Sequence, residues 1–437
     1  MRDRIKISYI GAGSAVFARQ IVTDVLAVEG LDRGTFALVD IDEERLDVAR
    51  RLTERLVQRS GKDWQVLATT DRRQVLGGSD FVVNSIEVAG RPNVGFDYDI
   101  PLRYGVDQCI GDTIGPGGIF KALRTGPAWL EVVEDVARLC PRAIVLNYTN
   151  PMSILTLAAI RHTGLQVVGL CHSVQGTSRR LAGYLDMPYE DLTWRCAGIN
   201  HNAWFTELSR DGEDLYPTLR EAARVPEIYE RDPVRFEVML HLGAFVTESS
   251  GHFSEYVPYF RKRPDLVDRY ARPGYRGESG FYRFGWPRWQ EEHRAQAEAW
   301  AAGTDPLPDR RSEEYASQIV EGMVLNRPCV IHGNLVNDHL IDNLPAGSCV
   351  EVACLVDRRG VQPVHFGRLP EQLAALNRSH IAVHELMVEA LLRRDRQAAL
   401  YALMLDPLTA AVCSLEEAER LFEEMWEAER PYLTPFQ

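Results

Sequence analysis

Lys6-Ile-Ser-Tyr-Ile10 runs directly into Gly11-Ala-Gly-Ser14, and Ala15-Val-Phe-Ala-Arg-Gln-Ile-Val22 follows. The first five residues are a short β-branched, apolar run and predict a strand. The last eight carry apolar side chains at helical spacing. The glycines between them allow a tight turn and let backbone N–H groups approach a bound group. The N-terminus of the next helix favours an anion such as pyrophosphate. A second apolar run, Phe36-Ala-Leu-Val-Asp40, ends in an acid about twenty residues past the turn, where a carboxylate can bind ribose hydroxyls and favour NAD over NADP. Gly11, Gly13, Ser14 and Asp40 are therefore the candidate cofactor residues. The full fingerprint asks for a third glycine and Val16 stands there, so an ordinary strand-to-helix turn also fits; the flanking strand, helix and strand-end acid favour the cofactor reading. Asp42 either shares the role of Asp40 or caps a helix beginning near Glu43.

Outward from this unit, strand and helix alternate. A helix is predicted over Glu43–Arg59, strands over Trp64–Ala68 and Asp80–Ile86, and a helix over Ile119–Leu139. The strand Ala143–Tyr148, a helix opened by Asn150-Pro-Met-Ser153 and the strand Val167–Leu170 follow. Such alternation implies a doubly wound, Rossmann-like parallel sheet covered on both faces, with ligands at the carboxyl ends of its strands. Gly11–Ser14, Asp40, Glu87, Asn147–Asn150 and Cys171-His172 all fall at such ends. After about Gly198 the pattern changes. Short strands at Phe205–Leu208, Val330–His332 and Val350–Leu355 mix with helices. Arg261–Pro308 reads as long loops with short helices, and Glu371 onward as largely helical. We divide the chain into residues 1–198, a dinucleotide-binding domain, and 199–437, an α+β domain for substrate, metal and oligomerisation that closes over the ligand edge.

The chain has 437 residues, 45% of them hydrophobic and 25% charged, which describes a soluble globular protein of two to three domains. Its net charge of −13 argues against nucleic acid and anionic membrane surfaces as partners. No apolar run reaches membrane-spanning length. Met1-Arg-Asp-Arg4 enters the first strand at once, so a cytoplasmic location is expected. The eight cysteines contain no CxxC pair and are expected to be reduced thiols.

Cys171-His172 lies just past a strand end, and Asn200-His201-Asn202 follows the predicted strand Thr193–Ala197. A thiolate and an imidazole could hold a divalent transition metal. The spacing matches no general metal pattern, so on the residues alone a buried structural cysteine and a hydrogen-bonded histidine are the better reading. Asp112-Thr-Ile-Gly-Pro-Gly-Gly118 is a second glycine-rich turn before a helix, either a simple cap or a polar loop at the cofactor crevice. Asn147 and Asn150 place carboxamides at a strand end, where they suit sugar hydroxyls. Glu248-Ser-Ser-Gly-His252 with Glu255-Tyr256 is a further polar and aromatic group.

Together these motifs resemble glycoside hydrolase family 4, whose members depend on NAD and a divalent metal. The resemblance rests on Ile10-Gly-Ala-Gly-Ser14, Asp112–Gly118, Asn147-Tyr-Thr-Asn-Pro151, Gly169-Leu-Cys-His-Ser-Val174 and Gly198-Ile-Asn-His201, in the family's order. Thr247–Tyr256, Asp342-Asn-Leu-Pro345 and Glu351-Val-Ala-Cys354 are similar to the family's α-galactosidase (melibiase) branch. The resemblance implies a C-terminal α+β domain on a lactate- or malate-dehydrogenase-like sheet, NAD and Mn2+ as cofactors, a small glycoside as substrate, and a homodimer or homotetramer. It implies hydride transfer from C3, loss of the acidified C2 proton, elimination at C1 and addition of water. Cys171 and His201 become metal ligands, His172 the acid for the leaving oxygen, and Tyr256 the C2 base. Asp112 faces the cofactor, while Asn150, assisted by Asn147, binds the sugar. Val94 stands where phospho-sugar members carry a basic residue, although Arg91 is near, which favours a neutral sugar. The residues alone leave α-glucosides, glucuronides and galacturonides open.

Two rival readings remain at this point. A plain NAD-dependent dehydrogenase shares the sheet but has no use for a thiolate metal ligand. A silent NAD-binding sensor or scaffold has no need of Cys171 or His201.

Overall fold

The computed structural model describes residues 4–14 and 17–436; Val16, at the third fingerprint position, lies outside them. The first six strands are β1 (Ile5–Ile10), β2 (Arg33–Val39), β3 (Asp63–Thr69), β4 (Phe81–Asn84), β5 (Ile144–Asn147) and β6 (Val167–Gly169). They pair in parallel in the order β3-β2-β1-β4-β5-β6, the order of a Rossmann sheet. Alternate side chains feed two cores. Phe36 and Leu38, Phe81 and Val83, Ile144 and Leu146 enter one; Ala37 and Val39, Val82, and Val145 enter the other. Both faces are thus buried, which is why these strands read as unbroken apolar runs.

The helix Glu43–Ser60 follows β2. Asp42 caps it, accepting from the N–H groups of Glu44 and Arg45, and Gly61 closes it at φ +67°. Asp42 is thereby spent on capping and Asp40 keeps the strand-end position.

The later strands do not build a sheet of their own. They are β7 (Thr193–Ile199), β8 (Asn202–Arg210), β9 (Glu213–Asp214), β10 (Phe245–Val246), β11 (Cys329–Val336), β12 (Cys349–Asp357) and β13 (Gly360–Pro363). They continue the first sheet antiparallel, in the order β6-β11-β12-β7-β8-β10, with β13 on β12 and β9 on β8. Two narrow seams join the parts: Asn334 pairs with Gly169, and Glu351 with Gly198. The β11–β12 pair is therefore inserted between β6 and β7, which follow one another closely in the chain.

Two segments differ from the sequence expectation. Residues 281–302 form one 22-residue helix, Phe281–Ala302, rather than loops. Pro287 lies in its second turn and removes one helical hydrogen bond, but the stretch after it is rich in strong helix formers. Arg91–Arg103 is helical as well, despite Pro92 and Pro101. Among the described residues no helix is long and apolar enough to cross a membrane.

Candidate active site

The turn after β1 is shaped by contact. Gly11 has φ +83°, and a Cβ there would lie 2.8 Å from the Ser85 carbonyl oxygen. A Cβ on Gly13 would lie 2.7 Å from Asp40 Oδ2. Asp40 accepts from Gly13 N at 2.7 Å and from Asp42 N at 3.0 Å, so it ties the glycine turn to the end of β2. Ser14 closes the turn by donating its N–H to the Gly11 carbonyl at 3.1 Å. This tight cradle of backbone and one carboxylate fits the pyrophosphate and ribose of a dinucleotide.

The second centre lies at the carboxyl end of β6. Cys171 sits there, and its sulfur accepts from Ser173 N at 3.4 Å, at the start of the helix Ser173–Tyr184. His201 occupies the two-residue turn between β7 and β8 with φ +62°. That position normally takes glycine or asparagine, and a histidine there costs about 1–2 kcal/mol. The turn places the imidazole against Glu248, which precedes Ser249, the N-cap of the short buried helix Ser250–Tyr256. One donor atom each from Cys171, His201 and Glu248 lies within 4.8 Å of the others. His201 Nε2 is 3.4 Å from Glu248 Oε2, and its Nδ1 is 3.4 Å from the Tyr256 hydroxyl.

The electrostatics suit a cation. Burial opposes the Cys171 thiolate, but the adjacent His201 outweighs it and brings the thiol down to about 7. Burial likewise opposes a charged His201, and Cys171 with Glu248 raises it to about 10. Glu248 is held below its ordinary value because His201 and His252 overcome its burial. Thiolate, imidazole and carboxylate are a donor set for a divalent transition metal, and the imidazole can give up its proton to one. His252 is 1% exposed, and neither ring nitrogen has a hydrogen-bond partner among the described residues. Burial and His201 lower it to about 4, so it stays neutral.

A polar row continues from this centre. His252 Nε2 is 3.8 Å from Asp112 Oδ1. Asp112 accepts from Thr113 Oγ1 at 2.6 Å and from Asn150 Nδ2 at 3.2 Å. Lys121 Nζ lies 3.4 Å from Asp112 Oδ2 and 3.0 Å from Glu87 Oε2. Lys121 projects from the second turn of the helix Gly115–Leu139 and is buried. Burial would raise Asp112, but Lys121 and His252 hold it well below the usual carboxylate range.

Cys171, His201, Tyr256, Asp112 and Asn150 thus converge, and His172 stands beside them. His172 Nε2 bonds Glu314, which outweighs partial burial and raises the imidazole. Burial and the nearby Glu248 and Asp112 push the Tyr256 phenol well up. Asn147 does not belong at the sugar. It is fully buried, its carbonyl takes the Asn84 amide and the Thr149 N–H, and its own amide goes to the Thr149 carbonyl. It shapes the loop that presents Asn150. The Arg91 side chain lies outside the described residues. Sequence reasoning missed Glu248 as a metal donor, Lys121, and Glu314. The Glu248 motif was visible, but its distance from His201 in the chain follows no ligand spacing.

Two family models match, family 4 glycosyl hydrolase over residues 6–187 and its C-terminal domain over residues 196–409. The chain is 39% identical to an α-galactosidase of Bacillus subtilis, covering 99% of both. It is 36% identical to one of Rhizobium meliloti, covering 99% of this chain and 89% of that one. It is 31% identical to an α-galacturonidase of B. subtilis, covering 97% of both. Among solved structures, lplD of B. subtilis superposes with a TM-score of 0.86 at 28% identity, over 97% of this chain and 99% of that one. A 6-phospho-β-glucosidase of Thermotoga maritima, solved with manganese, NAD+ and glucose-6-phosphate, gives 0.81 at 23% identity over 98% and 99%. A malate dehydrogenase of Plasmodium falciparum gives 0.52 at 15% over 89% and 99%, in keeping with the shared sheet. With relatives this similar along nearly the whole chain, and with a dinucleotide-type turn and a thiolate-imidazole-carboxylate cluster on one sheet edge, the protein belongs to family 4 of the glycosyl hydrolases.

Proposed function

We propose that this chain hydrolyses α-galactosides, with NAD+ and a divalent metal such as Mn2+ as cofactors. The observation that carries the reading is the convergence of Cys171, His201 and Glu248 within 4.8 Å at the ligand edge of the Rossmann-like sheet. A plain dehydrogenase needs no such centre. The T. maritima relative was solved with both cofactors, and the B. subtilis and R. meliloti relatives at 39% and 36% identity are α-galactosidases.

Gly11, Gly13, Ser14 and Asp40 would hold the dinucleotide, and Cys171, His201 and Glu248 the metal. Bound there, the dinucleotide would supply reversible hydride acceptance at C3, and the metal would supply Lewis acidity to the resulting C3 carbonyl and the C2 oxygen, which together would acidify the C2 proton. Tyr256 is the residue proposed to accept that proton. Its hydroxyl rests on His201 Nδ1, and a cation held by His201 would oppose the burial that keeps the phenol protonated. His172, whose imidazole is drawn toward its charged form by Glu314, is the residue proposed to donate to the oxygen leaving C1. Asn150 is the residue proposed to bind sugar hydroxyls, and Asp112, which accepts from its amide, is proposed to face the cofactor.

The test is hydrolysis of 4-nitrophenyl α-galactoside by protein stripped of metal and nucleotide. NAD+ and Mn2+ are added back singly and together, with a thiol reductant. Turnover only with both, and without accumulating NADH, is the expected result. Turnover without NAD+ overturns the mechanism. Turnover of the α-galacturonide in place of the galactoside moves the substrate assignment to the uronides.

A further inference from the structure

We propose that the Glu87–Lys121 pair is a specificity device that reads a neutral hydroxymethyl end of the sugar and rejects hexosides bearing a charge at C6. This rests on the glycosidase reading above and adds two residues to it. The polar row runs outward from the metal donors through His252, Asp112 and Lys121 to Glu87, with successive separations of 3.8, 3.4 and 3.0 Å. A pyranose with its C2 and C3 oxygens at the metal end therefore directs its far side, C4 and C6, toward Lys121 and Glu87.

The charges on that side decide what can sit there. Lys121 is the buried cation of the row, and it is held between two carboxylates, Glu87 and Asp112. An ammonium has three donors, and these contacts use two. Glu87 is the most exposed member, with 29% of its side chain accessible. The group as a whole carries one net negative charge. A hydroxyl can donate to Glu87 and accept from Lys121 at once. A uronate or a phosphate monoester can only accept. It can use the free donor of Lys121 only while facing the Glu87 carboxylate at close range. Among the described residues, two arginines of this region are already engaged by other carboxylates. Arg124 is buried between Asp97 and Glu429, and Arg283 lies at 3.3 Å from Asp99 on the surface. His252, with both ring nitrogens unpartnered among the described residues, marks the inner end of the same row as a place where ligand oxygens are received.

The experiment uses the enzyme loaded with NAD+ and Mn2+. Binding of free galactose, galacturonate and galactose 6-phosphate is measured by calorimetry, and kcat/KM by the matching 4-nitrophenyl α-glycosides. The wild type should bind galactose at least tenfold more tightly than either acid. Glu87→Gln keeps size and hydrogen bonding but removes the charge. It should shift the acid-to-neutral ratio by at least tenfold toward the acids, in binding as well as in kcat/KM, with the change mainly in KM. Lys121→Met should weaken galactose binding. Because that variant leaves two carboxylates unpaired and can fail to fold, Glu87→Gln is the deciding variant. An unchanged ratio in Glu87→Gln, with the wild type preferring galactose, overturns this inference and leaves the α-galactosidase reading intact. A wild type that prefers an acid overturns the α-galactoside reading itself.

Discussion

Substituting Gly11→Ala isolates the cradle that we assign to the dinucleotide. Two costs add at this position. The backbone stands at φ +83°, where a Cβ costs about 1–2 kcal/mol. The new methyl would also sit 2.8 Å from the Ser85 carbonyl oxygen, 2.9 Å from its carbon and 3.0 Å from Ile86 N. These are backbone atoms that no side-chain rotation can move, so overpacking adds about 1–3 kcal/mol. At about 2.1 cal/mol/K per residue, 437 residues give an unfolding entropy near 0.9 kcal/mol/K, so Tm should fall by about 2–5 °C. The clash is relieved only by moving the turn away from β4, which spoils the N–H groups aimed at the pyrophosphate. The Kd for NAD+, followed by calorimetry, should rise at least tenfold. Gly61→Ala is the control. Gly61 has φ +67° with nothing within 4 Å of a Cβ, so it bears the conformational cost alone. It should lose about 1–2 °C and bind NAD+ normally. Equal Tm losses in the two variants, or an unchanged NAD+ affinity in Gly11→Ala, would refute the reasoning.

Two more outcomes follow from the charges of the molecule. Cys171 is the one cysteine of the eight whose thiol is drawn down, to about 7, while each of the others is raised by burial. At pH 7 iodoacetamide should label Cys171 first, as read by peptide mass spectrometry, and prior addition of Mn2+ should suppress that labelling; early labelling elsewhere contradicts the site. His332, His380 and His384 are buried and depressed, chiefly by that burial, to about 4, 4 and 3. The unfolded chain takes up these protons near pH 6.5 and the folded chain resists them, so stability is present above about 6.5 and falls as the pH drops toward 4. Urea midpoints should decline across that window, and His384→Gln should flatten the slope by about one proton; an unchanged slope shows that His384 is not held neutral.

The parallel half was legible because each of its strands is buried on both faces. Ile144-Val-Leu-Asn147 or Phe81-Val-Val-Asn84 then shows as a plain apolar run with a polar end, and those ends carry the ligand edge. The joining of the second half was hidden. The pairing of Gly169 with Asn334 spans 165 residues and leaves no local trace. The helix Phe281–Ala302 was masked by Gly285 and Pro287 near its start. Cys171 and His201 owed their reading to the resemblance, since a hairpin turn bearing histidine looks like any loop until its φ is known. Lys121 was invisible for a different reason. A lysine in the second turn of an amphipathic helix ordinarily reaches water, and only the packing of the glycine turn before it aims this one inward. Asn147 misled because a carboxamide at a strand end suits a sugar and a backbone equally well.

The insertion of the β11–β12 pair between β6 and β7 sets the order in which the enzyme can come into being. Cys171 follows β6 and His201 follows β7, two strands close in the chain but separated in the sheet by strands made from residues 329–357. A ribosome that has synthesised everything up to residue 328 has made Cys171, His201 and Glu248 but not the strands that join β6 to β7. The last quarter of the chain therefore has to arrive before the sheet can close, and a metal ion captured afterwards would clasp the completed sheet, stabilising only chains that have closed correctly.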